Sequence, residues 1–486
     1  MAKSRISRRS RILLGVLATL FLFIGGVLVN LRLGLGPKLD TPPLLTVKPA
    51  PSALVFHDVS VFAGVELTSR LHQDVLVENG RIISVKQTGE VMPEGAEIVE
   101  GASRTLLPGY VDAHMHMFGS GAPPWAPRRV SDSHAAEAYV FNGVTTGFVL
   151  GGFVPDLEKY AERTGQGELM GPRLWYTHMM ITAPGGHPTI VGRELVPWPL
   201  SAFLVSMIPQ PANAAEAEQA VAYIAGKNVH FIKVIVDQLP PSAPEMKAEI
   251  LNAIVEASRR RGLKVFAHIG TAEDAMVCVR AGVSVLAHGI YRGDISKEQA
   301  EEIARHKVPV IFTLAAFSQT AALGHAALTP SALDEAITPR EILDSLRGDA
   351  GLQFNKSGPT AEFGHAVVAN EGQWAKNVRT LYEAGVKLLI GTDSPLPGIF
   401  PGSSYHLELG LLSKAGIPNG ELLMGATSRA AEVLDLEIGR VEAGRPADLV
   451  LVDGDPIADI SAASAIEMVL LRGKIVRRAV PVGKAP

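Results

Sequence analysis

Eight short apolar runs recur between residues 106 and 435, and most are separated from the next by a stretch of helical pattern. The runs are "LLPGYVDAHMHM", "TTGFVL" (145–150), "RLWYTHMMIT" (173–182), "HFIKVIVD" (230–237), "LKVFAHIG" (263–270), "VSVLAHGI" (283–290), "VPVIFTL" (308–314) and "VKLLIGTDS" (386–394). The helical stretches include "SHAAEAYVFNG", "TAEDAMVCVRAG" and "GQWAKNVRTLYEAG", and several end at a glycine, the expected C-cap. Strands alternating with helices over roughly 330 residues predict an α/β chain folded as a (β/α)8, TIM-like barrel. Two longer inserts, 183–215 and 318–370, each follow the C-terminal end of a strand, where the loops of such barrels build active sites.

The flanks have a different texture. From 53 to about 104, short alternating strands appear ("ALVFHDVSVF", "DVLVENGRIISVKQTG"), with an Asn-Gly hairpin signal in "ENGRI". The pattern returns in "ADLVLVDGD" and "IEMVLLRGKIVRRAV". A small composite β-sandwich domain, built from 53–105 and 436–486, is therefore expected around a barrel of 106–435. Two such bodies suit 486 residues, a length well beyond the ~250–300 at which one hydrophobic core stops growing. "GPKLDTPPLLTVKPAPS" (36–52) reads as a stiff, Pro-rich linker.

At the N-terminus, Lys3, Arg5, Arg8, Arg9 and Arg11 precede an uncharged run from Ile12 to Val29. Eighteen residues of helix span about 27 Å, the thickness of a bilayer's hydrocarbon. The basic flank places the first residues in the cytoplasm. "VNLRLGLG" offers no small-x-small cleavage site, so residues 1–35 read as an uncleaved transmembrane signal anchor. A single-pass protein of a bacterial inner membrane, with its catalytic domain in the periplasm, is expected; export and release after cleavage is the alternative. A net charge of −4 gives no global field favouring nucleic acid. The single cysteine, Cys278, excludes an intramolecular disulfide and a thiolate-rich metal site, and its helical context predicts a buried apolar role.

Polar residues gather at the ends of the predicted strands. Strand one ends in His114 and His116, strand four carries Lys233, strands five and six end in His268 and His288, and strand eight ends in Asp393. Singly, each histidine reads more readily as a core residue than as a ligand. Jointly, scatter of fourteen histidines is not expected to place them so. Residues i and i+2 of a strand share a face, so His114 and His116 are expected to point together into the barrel mouth, with Asp112 one step deeper on that face as support. Neutral imidazoles bind Zn²⁺ and a carboxylate completes such a set. Asp393 is also placed to take a proton from a metal-bound water. Lys233 as an ammonium would repel metal ions, whereas its carbamate with CO₂ is an anionic donor able to bridge two of them.

These motifs, with the C-terminal run "GRVEAGRPADLVLVDGDPIADI", resemble the amidohydrolase superfamily. The branch they most resemble is the imidazolonepropionase-related one that includes metal-dependent dipeptidases of the prolidase kind. The resemblance spans about 53 to 480. It implies two divalent ions, with zinc expected and manganese or cobalt as alternatives. His114, His116 and Asp393 would bind the more buried ion, and His268 and His288 the more exposed one. Carboxylated Lys233 and a hydroxide would bridge them. It also implies oligomers, since relatives often form them. Two departures stand out: "GVTTGFVL" replaces the family's usual "GVTTVRD", and Thr271 stands where base deaminases of the family often carry a Glu.

The expected chemistry is hydrolysis of an amide C–N bond in a small substrate such as a dipeptide or N-acyl amino acid, by a metal-bridging hydroxide with Asp393 as proton shuttle. The same site would serve a lactone, a carbamate, an organophosphate ester or a cyclic amidine. A membrane-anchored binding protein without activity is the third class, and the complete ligand set argues against it. Around the mouth, His187 reads as a contact for a substrate carboxylate or the intermediate's oxygen, or as a loop histidine in water. Tyr291 reads as an oxyanion donor or as packing. His178 is expected in the core, and His406 as a cap on the pocket. Arg128, Arg129 and Arg292 are candidate partners for a substrate carboxylate, with solvated surface as the default.

Overall fold

The computed structural model describes residues 36–482 except 90–92, 118, 153–156, 197, 350 and 352–355. The apolar run 12–29, and with it the expected anchor, lies outside the described residues. Among the described residues no helix is long and apolar enough to cross a membrane.

The apolar runs form parallel strands, as their burial requires. Strand one is Tyr110–Met115, strand two Val144–Val149, and strand three is broken into Arg173–Tyr176 and Met180–Ile181. Strands four to eight are Phe231–Ile235, Lys264–His268, Val285–His288, Val310–Phe312 and Leu388–Ile390. Strands one, two and the first part of three make one sheet; the second part of three and strands four to eight make another. The two meet along a seam where Thr392 and Asp393 N–H donate to His114 O (3.0 and 2.8 Å) and His116 N–H donates to Ser394 O (2.6 Å). At the other seam, His230 N–H donates to Tyr176 O (3.0 Å). Helices lie between the strands. Ala272–Ala281, for example, starts with a capping box between Thr271 and Asp274 and stops at Gly282, whose φ of 82° suits only glycine easily. Thr271 is thus a helix cap. Cys278 is buried in that helix, as expected.

Alternate residues from seven of the strands fill one apolar cluster, including Ala113, Phe148, Phe231, Phe266, Ile311 and Leu389. The register sets the ligand-bearing ends at matching depth: Met180 lies opposite Lys233, Ile235 opposite His268, and His288 opposite Phe312.

Both chain flanks join in a single nine-stranded sheet, and residues from its two halves, such as Phe56 and Val75 with Leu449 and Leu470, share one apolar cluster. The cause is the long strand Ala53–Val61. It shifts register twice against Arg70–Glu78, and it pairs first with Glu97–Glu100 and then with Arg104–Pro108. The C-terminal strands Leu449–Asp453, Ile466–Leu471 and Lys474–Arg478 complete the sheet. Residues 45–49, expected in a free linker, pair antiparallel with Lys474–Arg478. Proline occupies only the last position of this strand, so the other backbone donors remain available. The run 106–117 divides at Gly109: Arg104–Pro108 belongs to the nine-stranded sheet, and Tyr110 begins strand one.

A Cβ at Gly109 would lie 2.1 Å from Thr145 Oγ1. Gly109→Ala is therefore expected to cost about 1–3 kcal/mol by overpacking, read from urea unfolding midpoints. Trimming Thr145 as well should return part of that loss, and equal stability of Gly109→Ala and wild type would contradict the close approach.

Candidate metal centre

Strict alternation along strand one would turn His114 away from the interior that Ala113 faces. Strand one instead holds an extra residue between Asp112 and Met115 relative to strand two. Such a bulge re-aims the side chains that follow it. His114 thereby enters the same cavity as His116, Lys233, His268, His288 and Asp393. Asp112 does not share it. The expectation that Asp112 sits on His114's face is corrected by the same bulge. Asp112 is fully buried and accepts hydrogen bonds from Thr392 Oγ1 (2.7 Å), Thr392 N–H (3.1 Å) and His114 N–H (3.2 Å). Burial pushes its carboxyl up to about 7, against the pull of those three bonds.

Two ligand candidates sit in left-handed backbone: His288 at φ 82° and Asp393 at φ 59°. His288 directly follows Ala287, the last residue of strand six in the interior cluster, while Asp393 lies beyond the end of strand eight at Ile390. Asp393 Oδ1 lies 2.9 Å from His116 Nε2 and 3.3 Å from His114 Nε2. Ligand atoms of His114, His116 and Asp393 all fall within 4.8 Å of one another. Burial raises the Asp393 carboxyl, but His114, His116 and His268 overcome it and hold the group well below the carboxylate range. Burial holds His114 and His288 well below the ordinary histidine value, so both rings are neutral, the form that binds metals. Burial also lowers His116, but Asp393 more than offsets this and raises it.

Several atoms here have no partner among the described residues. Lys233 is 1 % exposed, and its Nζ has no hydrogen bond. Burial brings its ammonium down to about 7. His114 Nδ1 and His288 Nε2 are also buried without partners. The His268 and His288 rings are 4.0 Å apart, and those of His114 and His288 4.5 Å. Buried polar atoms left without hydrogen bonds are costly unless something fills the space between them. Neutral imidazoles, a carboxylate and an amine able to form a carbamate suit divalent cations there.

The surroundings fix which ring nitrogen is left for an ion. His116 Nδ1 donates to Gly151 O at 2.5 Å, leaving Nε2 for a ligand. His288 Nδ1 pairs with Thr313 Oγ1 at 2.9 Å, again leaving Nε2. His268 Nε2 faces Asp237 Oδ2 at 3.3 Å, an ion-pair distance without hydrogen-bond alignment. Asp237 was not singled out in the sequence, although "VIVD" ends strand four just as the other ligand-bearing residues end theirs. Asp237 also accepts from Tyr291 Oη at 2.5 Å and from Arg292. Burial raises Asp237, but His268, Arg292 and Tyr291 outweigh it and keep the carboxyl low.

The cavity over these groups measures about 260 Å³. His187 lines it, with its ring 5.6 Å from His268 and pushed down to about 3 by burial. Both inserts contribute walls: Val191 and Leu195 from 183–215, Leu323 and Phe363 from 318–370. Tyr291 does not line the cavity. Its hydroxyl is committed to Asp237 and its ring stacks on Phe317 at 4.1 Å. Arg292 is likewise bound to Asp237. Arg128 and Arg129 donate to the backbone carbonyls of Pro127 and Gly36. His406 does not cap the pocket: Nε2 lies 3.0 Å from Asn142 O, against Tyr110 and Tyr405. His178 is half-buried in the break of strand three, away from the cavity.

If Asp237 orients His268, Asp237→Asn should weaken zinc binding about 10–100-fold, the usual effect of losing a carboxylate behind a ligand histidine. A chelator-competition titration reads this directly, and an unchanged affinity would remove Asp237 from that role.

The sequence pattern of the amidohydrolase family matches residues 105–476. An imidazolonepropionase of Rubrobacter xylanophilus is 24% identical over 418 residues, covering 78% of this chain and 84% of that protein. Among solved structures, a Xaa-Pro dipeptidase with methionine bound in its active site superposes with a TM-score of 0.67 at 20% identity, covering 87% of this chain and 99% of the other. A prolidase complexed with N-methylphosphonate-L-proline gives 0.66 at 22% identity, with coverages of 88% and 100%. These structures share the fold.

Proposed function

Because the chain belongs to the amidohydrolase family, we propose that it is a binuclear metal-dependent hydrolase cleaving the C–N bond of a small amide, such as a dipeptide or an N-acyl amino acid. The observation that carries this reading is the buried convergence of His114, His116, Lys233, His268, His288 and Asp393 around atoms that lack partners. We read the two parallel sheets as one (β/α)8 barrel, supported by the hydrogen bonds at their seams. We assign residues 110–435 to the barrel, and 45–108 with 436–482 to the composite β-domain.

His114, His116 and Asp393 would hold one ion, and His268 and His288 the other. Lys233 would join them as a carbamate. Its amine attacks CO₂, a C–N bond forms and a proton leaves, a reaction favoured by the burial that lowers its ammonium to about 7. Bound divalent ions supply an acidified water, with pKa near ~7, and polarise the substrate carbonyl. Asp393 accepts the proton of the attacking water and returns it to the leaving nitrogen. His187, neutral and at the cavity wall, orients the substrate carbonyl or a substrate carboxylate. Tyr291 acts through Asp237 on His268. We place this hydrolase outside the cytoplasm behind an anchor at residues 12–29, on the strength of the basic flank before it.

The similarity to imidazolonepropionase favours a second reading, hydrolysis of a cyclic amidine at the same site. A panel of dipeptides, N-acyl amino acids, lactones, carbamates, phosphotriesters and cyclic amidines, run on metal-loaded protein, separates the two. Amide turnover is expected; turnover confined to the cyclic amidine would replace the first reading with the second. Asp393→Asn is expected to keep its metal and lose about 10²–10⁴-fold in kcat, the range for a lost acid–base group. Near-normal kcat in that variant would take the proton transfer away from Asp393.

A further inference from the structure

We propose that the substrate carries a long apolar arm, making it an N-acyl amino acid with a fatty acyl chain, and that this arm lies in a second cavity opening off the metal centre. This rests on the amide reading above and narrows it. The metal cavity, at about 260 Å³, falls below the ~300–1,000 Å³ typical of sites that enclose a whole small ligand. It suits the amide and a small head group. Beside it is a larger cavity of about 790 Å³. The two share the side chains of His116, Met180, His187, Val191, Leu195 and Leu396 and so lie side by side.

The outer cavity has two unlike walls. Insert 183–215 supplies Val196, Leu204, Val205 and Ile208 in addition to the shared Val191 and Leu195. These come largely from two short helices, Thr189–Leu195 and Leu200–Ser206, packed on each other. The charged side chains, Asp132, Lys159 and Arg163, come instead from the helices Asp132–Phe141 and Leu157–Gly165. An apolar chain along the insert wall removes its own surface and that wall from water together, which is favourable. A short dipeptide would leave this wall wet. The insert thus has a function in selectivity: it converts a centre sized for a head group into one that discriminates by chain length.

Gly192 gives a clean way to test this. It lines the outer cavity and not the metal cavity, and a Cβ added there meets only Val205 Cγ2, at 4.0 Å. Gly192→Trp should narrow the groove from the insert wall, at a position that lines the outer cavity alone. Leu204→Glu, at a half-buried lining position, is a second variant that places charge in the groove in case the first does not fold. N-acyl amino acids with acyl chains from acetyl to dodecanoyl would be assayed on the metal-loaded full chain. At up to about fourfold per buried CH₂, kcat/KM for dodecanoyl should exceed that for acetyl by at least about 100-fold. Either variant should lose at least about tenfold on dodecanoyl and less than about twofold on acetyl. Equal kcat/KM across chain lengths, or variants that affect acetyl and dodecanoyl alike, would overturn the proposal. Calorimetric binding of dodecanoate against acetate keeps the groove testable should no amide be cleaved. Dodecanoate binding that the variants weaken at least about tenfold then supports the groove while the amide reading fails. No dodecanoate binding, or binding indifferent to both variants, sinks the groove itself.

Discussion

A buried carboxylate that binds no substrate holds the site together. Asp112 in strand one accepts two hydrogen bonds from Thr392, just beyond strand eight, and one from the His114 amide. Thr392 Oγ1 also contacts Ser394 Oγ at 2.8 Å, and Tyr139 Oη reaches Ser394 Oγ at 3.1 Å and His116 O at 3.0 Å. The network joins the first and last strands of the set. It therefore fixes the spacing between His114 and His116 on one side and Asp393 on the other. Loss of one partner in such a network leaves a buried polar group unsatisfied, at a cost of about 1–3 kcal/mol. The distortion would be felt first where those three side chains face one another.

The ligands reach their centre through irregular backbone. A bulge re-aims His114, and His288 and Asp393 both sit in left-handed backbone at the ends of strands six and eight. Each such conformation costs of order 1–3 kcal/mol and persists only where its surroundings over-determine it. Here the surroundings do so. His288 Nδ1 is held by Thr313, and the amides of Thr392 and Asp393 are both tied to His114 O. Behind the other ion, Asp237 performs the equivalent task for His268 with help from Tyr291 and Arg292.

The strand–helix alternation was legible in the sequence because fully buried strands must be apolar, and the ligand residues stood out as polar interruptions at their ends. The two-residue period failed at strand one, since a bulge leaves no mark in "DAHMHM". It was right that His114 and His116 meet, but for a different reason, and it misplaced Asp112. The roles of Tyr291 and Arg292 were not legible, because their partner Asp237 lies 54 and 55 residues away in sequence. Asp237 itself carried the same positional signal as the ligands. The extended reading of residues 36–52 missed the pairing of 45–49, which depends on a partner strand more than 400 residues later. The position of insert 183–215 pointed to the site, whereas its apolar wall emerges only when its two helices pack.

The central claim is that these six side chains hold two divalent ions. Anomalous diffraction from crystals of the zinc-loaded full chain, with metal analysis of the same sample, tests it most directly. Two ions per chain are expected, one among His114, His116 and Asp393 and one beside His268 and His288, with Lys233 reaching both. A chain that holds no ion in this cavity after metal loading, or whose ions sit elsewhere, would contradict it.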